Sequence, residues 1–440
     1  MIGTNVLTMV LAGGKGQRLF PLTAHRSKPS VPFGGSYKII DFTLMNCVMS
    51  GIRSMYVLTQ YHSCSLNSHI SERWGFVSAE MGEFIEILPP KLRSPSAVYK
   101  GTADSIYCNL EILEAKRPDV VLILSGDHVY RADYAAMIDQ HLKTGSDVTV
   151  LCGEVGTDEA SEFGVVETGV DGAISNFVEK PKDPEPYAEN GICKINLGVY
   201  CFDTRFLVQR LVADAKRQTA HDFGKNILPE SVRIGRVQPC SFPQISPGKA
   251  YWRDVGSIDS YFQCHQDLLD EEPEFELLDP RWPAGSRLRD SIPVKMSNRG
   301  VVERGWSLIS GGVEIDRSRV IRSVISPRVK IGQDATVDHC VVFEGVRIGA
   351  KARVRNAIID EGVTIPDGAV IGYGNDLGQF KVSSGGVIVI DRGYQFHADI
   401  DCPIEVRGVD VEVTPESVNR VDSLVDDSVP DRLPVAALQS

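Results

Sequence analysis

An isoleucine recurs every 17 residues in the second half of this chain, and that spacing limits what the segment can fold into. Ile331-Gly332-Gln333-Asp334-Ala335 is matched by Ile348-Gly349-Ala350-Lys351-Ala352, and Ile365-Pro366-Asp367-Gly368-Ala369 follows at the same interval. Val337, Val354 and Ile371 each stand six residues after an isoleucine, and a weaker copy begins at Ile315-Asp316. A six-residue aliphatic beat nested in a period of about 18 suits a triangular β-helix. One aliphatic side chain per flat face points inward, a small residue fits each corner, and turns stack because none can bury its apolar face alone. About four turns fit the available length. A β-sandwich is the alternative, and the in-register repeat disfavours it.

The first half has another pattern. Val6–Leu11, Met55–Leu58, Val120–Leu124 and Val148–Cys152 are short apolar runs without alternation, as in strands buried on both faces of a mainly parallel sheet. Ala103–Ala115 and Tyr134–Leu142 have helical spacing. The order predicts a doubly wound α/β domain. The layout is a catalytic α/β domain over 1–266, a Pro-, Asp-, Glu- and Arg-rich connecting segment over 267–300, a β-helix over 301–413 and a loose tail over 414–440.

The 440 residues carry a formal net charge of −12, a poor balance for a general nucleic-acid binder, which must neutralise phosphates. A local basic pocket can still take a small phosphorylated ligand. No apolar run approaches the roughly 18 residues of a membrane span. Met1–Val6 lacks the basic and apolar regions of a signal peptide, so the reading is cytoplasmic. The ten cysteines are scattered with no C-x2-C pair, which favours reduced thiols over a disulfide framework or zinc site.

The strongest local signal is Leu11-Ala12-Gly13-Gly14-Lys15-Gly16-Gln17-Arg18-Leu19, directly after a strand. Glycines allow a tight turn whose N–H groups face phosphate oxygens, and Arg18 adds charge. It is not a dinucleotide fingerprint, because Leu19 holds the third glycine position, nor a Walker A loop, because Gly16 follows Lys15. A ligand-free turn is the bland reading. Lys28-Pro29 lies close enough to return a point charge to that loop, unless Lys28 is a solvated surface residue. Ser125-Gly126-Asp127-His128 puts a carboxylate just past a buried strand, at the sheet edge where ligands bind. Asp127 there is a natural Mg²⁺ ligand or a turn cap; His128 reads as a turn or packing residue. Asp254, in Tyr251-Trp252-Arg253-Asp254-Val255-Gly256, is a second acid able to share the metal, although spacing alone does not join the two. Glu179-Lys180-Pro181 and Asp222-Phe223-Gly224-Lys225 are weak signals in isolation.

Together these motifs, with Phe33-Gly34-Gly35, Ile39-Ile40-Asp41-Phe42, Thr59-Gln60-Tyr61 and Gly101-Thr102-Ala103-Asp104, fall in the order found in one family. Over residues 6–390 the chain closely resembles the bacterial glucose-1-phosphate adenylyltransferases. The resemblance implies a Rossmann-like nucleotidyltransferase domain followed by a left-handed parallel β-helix. It implies transfer of the adenylyl group of ATP to α-D-glucose 1-phosphate with Mg²⁺, giving ADP-glucose and pyrophosphate for glycogen synthesis, in an allosteric homotetramer. It assigns Leu11, Ala12, Gly13, Gly14, Gly16, Gln60, Gly101 and Thr102 to the nucleotide. Tyr99, Gly164, Glu179, Lys180 and Asn196 fall to glucose 1-phosphate, Arg18, Lys28, Asp127 and Asp254 to catalysis, and Asp127 and Asp254 to the metal. His25, Lys38 and Lys381 are the positions for a phosphorylated or nucleotide effector.

The chain departs from the family at Asn196-Leu197-Gly198, where Ser-Met-Gly is usual, and at His25, where many bacterial members have lysine. Gln379-Phe380-Lys381 offers one cation where an Arg-rich stretch is common. Since histidine is only partly protonated near neutral pH, activation by a sugar bisphosphate is expected to be weak or altered. Rival readings are a relative that uses another nucleotide or sugar phosphate, a non-catalytic regulatory subunit, and a bifunctional enzyme with acyltransferase activity in the β-helix, where the lone His339 forms no distinct acyl-transfer constellation and reads as a packing or surface residue.

Overall fold

In the computed structural model of the chain, Val6–Ala12 and Val120–Ser125 lie side by side and parallel, with Leu11 opposite Ser125. Ser54–Thr59 flanks Val6–Ala12 on its other side, and Phe84–Leu88 extends the parallel set. The runs lack alternation because both faces are covered. Val120, Leu122 and Leu124 enter one core, and Val121 and Ile123 enter the other. The structure describes residues 4–75, 82–90, 98–242, 251–279, 294–297, 306–374 and 378–396.

Beyond Val120–Ser125 the sheet changes direction. The long strand Ile192–Asp203 runs antiparallel to Val120–Ser125 and to Val148–Gly156. Gly164–Thr168 and Ile174–Glu179 continue antiparallel beside it, while Val237–Ser241 pairs parallel with Val148–Gly156. The sheet is therefore mixed rather than mainly parallel. Ile192–Asp203 alternates in its first part and is a continuous apolar run over Val199–Phe202, and its register breaks between Asn196 and Tyr200, around Gly198 at φ +72°.

Tyr134–Thr144 is a helix, opened by the Asp133 carboxylate accepting from the Ala135 N–H and closed by Gly145 in the left-handed region. The helix read over 103–115 is two, Thr102–Tyr107 and Leu110–Lys116. Asn109 separates them, its amide donating to the Ser105 carbonyl at 2.8 Å.

The repeat forms parallel coils. Ile315, Ile331, Ile348 and Ile365 stand in register on one face, and Val320, Val337, Val354 and Ile371 on the next. Ile325, Val342, Ile359 and Ile390 form a third column. Ile331, Ile348 and Ile365 are almost wholly buried, each contributing about 1.5–3 kcal/mol by leaving water. The coils do not stand apart from the α/β portion. Leu308, Val324, Val341, Phe343 and Val389 share a core with Tyr261 and Phe262 of the helix Ile258–Asp267. In the segment read as a connector, Leu268, Leu269 and Phe275 are buried in that same core, Phe275 against the Phe42 and Tyr251 rings. Residues 280–293 of that segment, and the tail over 414–440, lie outside the described residues.

No described helix is long and apolar enough to cross a membrane. The nine described cysteines are free thiols, and seven are buried.

Candidate active site

A cavity of about 550 Å³ opens at the C-terminal edge of the parallel strands. Register explains why its walls meet. Val6–Ala12 runs into the glycine loop, and its neighbour Val120–Ser125 runs into Gly126-Asp127. Asp254 arrives on a two-stranded ribbon, Trp252–Asp254 against His128–Tyr130, which places Asp254 opposite His128. Lys28 opens the short 3₁₀ turn Lys28–Ser30. Gly16 takes φ +62°, and its carbonyl accepts from the Thr23 hydroxyl at 2.9 Å. A Cβ there would fall 2.9 Å from Thr23 Cγ2 and 3.0 Å from Lys28 Cβ, so the loop sits tight against the lysine turn.

Five charged side chains meet at this edge. Lys28 Nζ lies 3.0 Å from Asp127 Oδ2 and 2.7 Å from Asp254 Oδ1. Arg18 reaches Asp254 at 3.5 Å and Glu162 at 3.4 Å. The Ser125 hydroxyl donates to Asp127, and His128 Nε2 stands 3.5 Å from Asp127 Oδ1. Burial pushes the Lys28 ammonium down, but Asp127 and then Asp254 outweigh it and hold its pKa above the ordinary lysine value. Burial pushes both aspartates up, and Lys28 overrides it so that both are held below the usual carboxylate range. Burial lowers the His128 imidazole against the pull of the two aspartates.

Every residue assigned above to the nucleotide lines the cavity, together with Tyr99, Arg18, Lys28 and Asp127. Gln60 Oε1 accepts the Tyr99 N–H at 3.1 Å. Thr102 Oγ1 donates to Asp222 at 2.9 Å and accepts the Phe223 N–H at 3.0 Å.

Asp254, Gly164, Glu179, Lys180 and Asn196 do not line that cavity; Gly164, Glu179 and Asn196 lie on adjoining strands, and Lys180 directly follows the strand that ends at Glu179. Gly164 and Glu179 face one another across an antiparallel pair. A Cβ at Gly164 or Gly224 would fall 2.9 or 2.4 Å from Glu179 Oε2, so the carboxylate sits between two glycines. Burial and then Asp222 push the Glu179 carboxyl up, against Lys180 and Lys225. Asn196 donates to the Tyr200 hydroxyl at 2.9 Å and accepts the Gly198 N–H at 2.9 Å. Lys180 is exposed. Asp222, at the cavity wall, connects the two groups.

The three effector positions have separate surroundings. His25 is exposed. Lys38 is partly buried, which lowers its pKa, and its ammonium reaches the Ser65 carbonyl at 3.4 Å. Lys381 lies 5.3 Å over the Phe20 ring.

A family profile described as nucleotidyl transferase matches residues 7–271, and one described as GlmU-like, C-terminal hexapeptide matches 293–390. Glucose-1-phosphate adenylyltransferase 2 of Alkalilimnicola ehrlichii is 40% identical over 393 residues, which is 88% of this chain and 93% of that one. Glucose-1-phosphate adenylyltransferase of Koribacter versatilis is 41% identical over 91% of this chain and 98% of its own length. The chain belongs to the glucose-1-phosphate adenylyltransferase family. A third member, from Thiobacillus denitrificans, is 42% identical over 87% of this chain and 89% of its own.

Sequence reasoning passed over some residues of this adenylyltransferase site. His128, read as packing, offers a nitrogen within 4.8 Å of oxygens from Asp127 and Asp254. Its adjacency to Asp127 was the available signal. Asp222, weighed only as a weak motif, lines the cavity. Glu162 carried no motif; tertiary packing alone brings it to Arg18. Two carboxylates with an imidazole make a donor set that fits a divalent cation.

Proposed function

We propose that this chain transfers the adenylyl group of ATP to α-D-glucose 1-phosphate, releasing pyrophosphate and supplying ADP-glucose for glycogen synthesis. The observation that carries the reading is the convergence of the glycine loop, Arg18, Lys28 and Asp127 around one cavity, with Asp254 held to Lys28 and Arg18 at its edge, in a chain of this family. The sugar phosphate attacks the α-phosphorus in line with the departing pyrophosphate. Both reactants are anions, so the site cancels repulsion and holds them aligned. No general base is required, because the attacking phosphate is already ionised. The glycine loop and Arg18 hold the triphosphate, Gln60 and Gly101-Thr102 the adenosine side, and Lys180 and Glu179 the sugar phosphate. Asp127 and Asp254 hold Mg²⁺, which supplies Lewis-acid charge neutralisation when bound.

In this reading residues 1–266 carry the transferase chemistry, 267–300 link it to the coils, 301–413 form the β-helix, and the enzyme is a cytoplasmic homotetramer. A phosphorylated effector acts weakly through His25, Lys38 and Lys381. The test is pyrophosphate release with Mg²⁺ across ATP, UTP, GTP, CTP and dTTP against glucose, mannose and N-acetylglucosamine 1-phosphates. A dominant ATP–glucose 1-phosphate signal is expected. Dominance of another pair overturns the assigned specificity, and ATP binding without turnover under any pairing favours a regulatory subunit.

A further inference from the structure

The Lys28 ammonium is within hydrogen-bond distance of one oxygen from each of the two aspartates. A divalent cation ligated by those same two oxygens, at roughly 2.0–2.6 Å, leaves no room for an ammonium in the same place. The two cations exclude each other by distance and by charge. The remaining oxygens are engaged too: Asp127 Oδ1 accepts from Ser125, and Asp254 Oδ2 faces Arg18. The Lys28 side chain is 8% exposed, so its charge has little water to fall back on when it leaves these partners. Its nearest alternative is the cavity it lines, beside Gly16, whose loop packs against the lysine Cβ. Side-chain rotation takes the ammonium from the carboxylates toward a phosphate in that loop.

We propose that Lys28 is an exchangeable counter-ion: it neutralises Asp127 and Asp254 until a cation–nucleotide complex enters, then hands them to the metal and turns to the phosphates. This rests on reading Asp127 and Asp254 as the cation's ligands. The exchange keeps each charge paired in both states, whereas adding a divalent cation beside a fixed, buried ammonium creates repulsion between the two. The consequence is order. The free metal binds weakly, and it arrives with the nucleotide rather than before it.

The test uses Mn²⁺ as probe, its free concentration followed by electron paramagnetic resonance at about pH 8, where carboxylates are ionised. Wild type, Lys28→Met, Lys28→Gln, Lys28→Arg and Asp127→Asn are compared, each checked for folding by circular dichroism. Without nucleotide, both neutral variants are expected to bind Mn²⁺ about tenfold or more tightly than wild type, and Lys28→Arg to bind as weakly as wild type. With α,β-methylene-ATP present, the advantage of the neutral variants disappears or reverses, because they lack the phosphate partner. If Lys28→Met and Lys28→Gln bind free Mn²⁺ no more tightly than wild type while Asp127→Asn weakens the nucleotide-bound metal, the counter-ion role is wrong and the metal site stands. If Asp127→Asn holds Mn²⁺ as wild type does with the analogue present, the metal assignment fails and this proposal with it.

Discussion

Arg26 and Asp360 meet at 2.8 Å although 334 residues separate them, and their side chains are only 4% and 3% exposed. The pair joins the loop after the glycine turn to the hexapeptide coils, with the guanidinium 5.8 Å from the Phe343 ring and 3.2 Å from Glu361. Burial pushes the Asp360 carboxyl up, and Arg26 opposes it. Arg26→Met leaves a buried carboxylate without its cation, at an expected cost of about 3–5 kcal/mol. Replacing both partners, as Arg26→Met with Asp360→Leu, is expected to recover most of that. Calorimetric unfolding of the two variants decides it; a single-variant loss below about 1 kcal/mol is the contrary result.

His265 gives the fold an acid-sensitive contact. Its Nε2 accepts the Gly34 N–H at 3.1 Å and its Nδ1–H donates to the Tyr261 carbonyl at 2.9 Å, so the neutral ring uses both nitrogens. Burial pushes its pKa down from 6.5 to about 4. Between those values the unfolded chain takes up a proton that the folded chain refuses. The contribution is therefore complete above about pH 6.5 and is lost as pH falls toward 4, amounting to about 3 kcal/mol. Urea midpoints followed from neutrality downward should fall more steeply in wild type than in His265→Gln. Parallel slopes would assign the acid sensitivity to other groups.

Asp127→Asn keeps the shape of the side chain and removes its charge. Turnover is expected to fall about a hundredfold or more, with the KM for glucose 1-phosphate within about threefold of wild type. Steady-state kinetics in both substrates measures the split, and near-normal turnover removes Asp127 from the mechanism.

Two glycines separate packing from ligand binding. A Cβ at Gly101 would lie 2.3 Å from the Ala220 and His221 carbonyl oxygens, whereas one at Gly14 would meet nothing within 4 Å. The Gly101 backbone is extended, so the obstacle there is steric. Gly101→Ala is expected to cost about 1–3 kcal/mol and to raise the KM for ATP by displacing Thr102. Gly14→Ala is expected to melt within about 0.5 kcal/mol of wild type and still bind ATP about tenfold more weakly, if the loop holds the phosphates as proposed. Calorimetry with ATP titration on both variants tests the contrast, which fails if Gly14→Ala binds ATP normally.

The sequence by itself determined what repeats and what is local. The Ile331–Ile348–Ile365 interval becomes a column of paired residues, because a stacked coil must return its inward residue at a constant count. The Val120–Leu124 run becomes a strand buried on both faces, and the glycine loop follows its strand directly. Tertiary structure alone decided which strands turn antiparallel, since Ile192–Asp203 is aligned by its neighbours and carries a register break of its own. It also decided that Asp254 comes to Asp127, through the pairing of Asp254 with His128 on a ribbon, and that Lys28 rests between them. Periodicity records which face a residue buries, but not which distant charge shares its site. That choice is made by tertiary packing, which brings to each charge the few neighbours able to replace water.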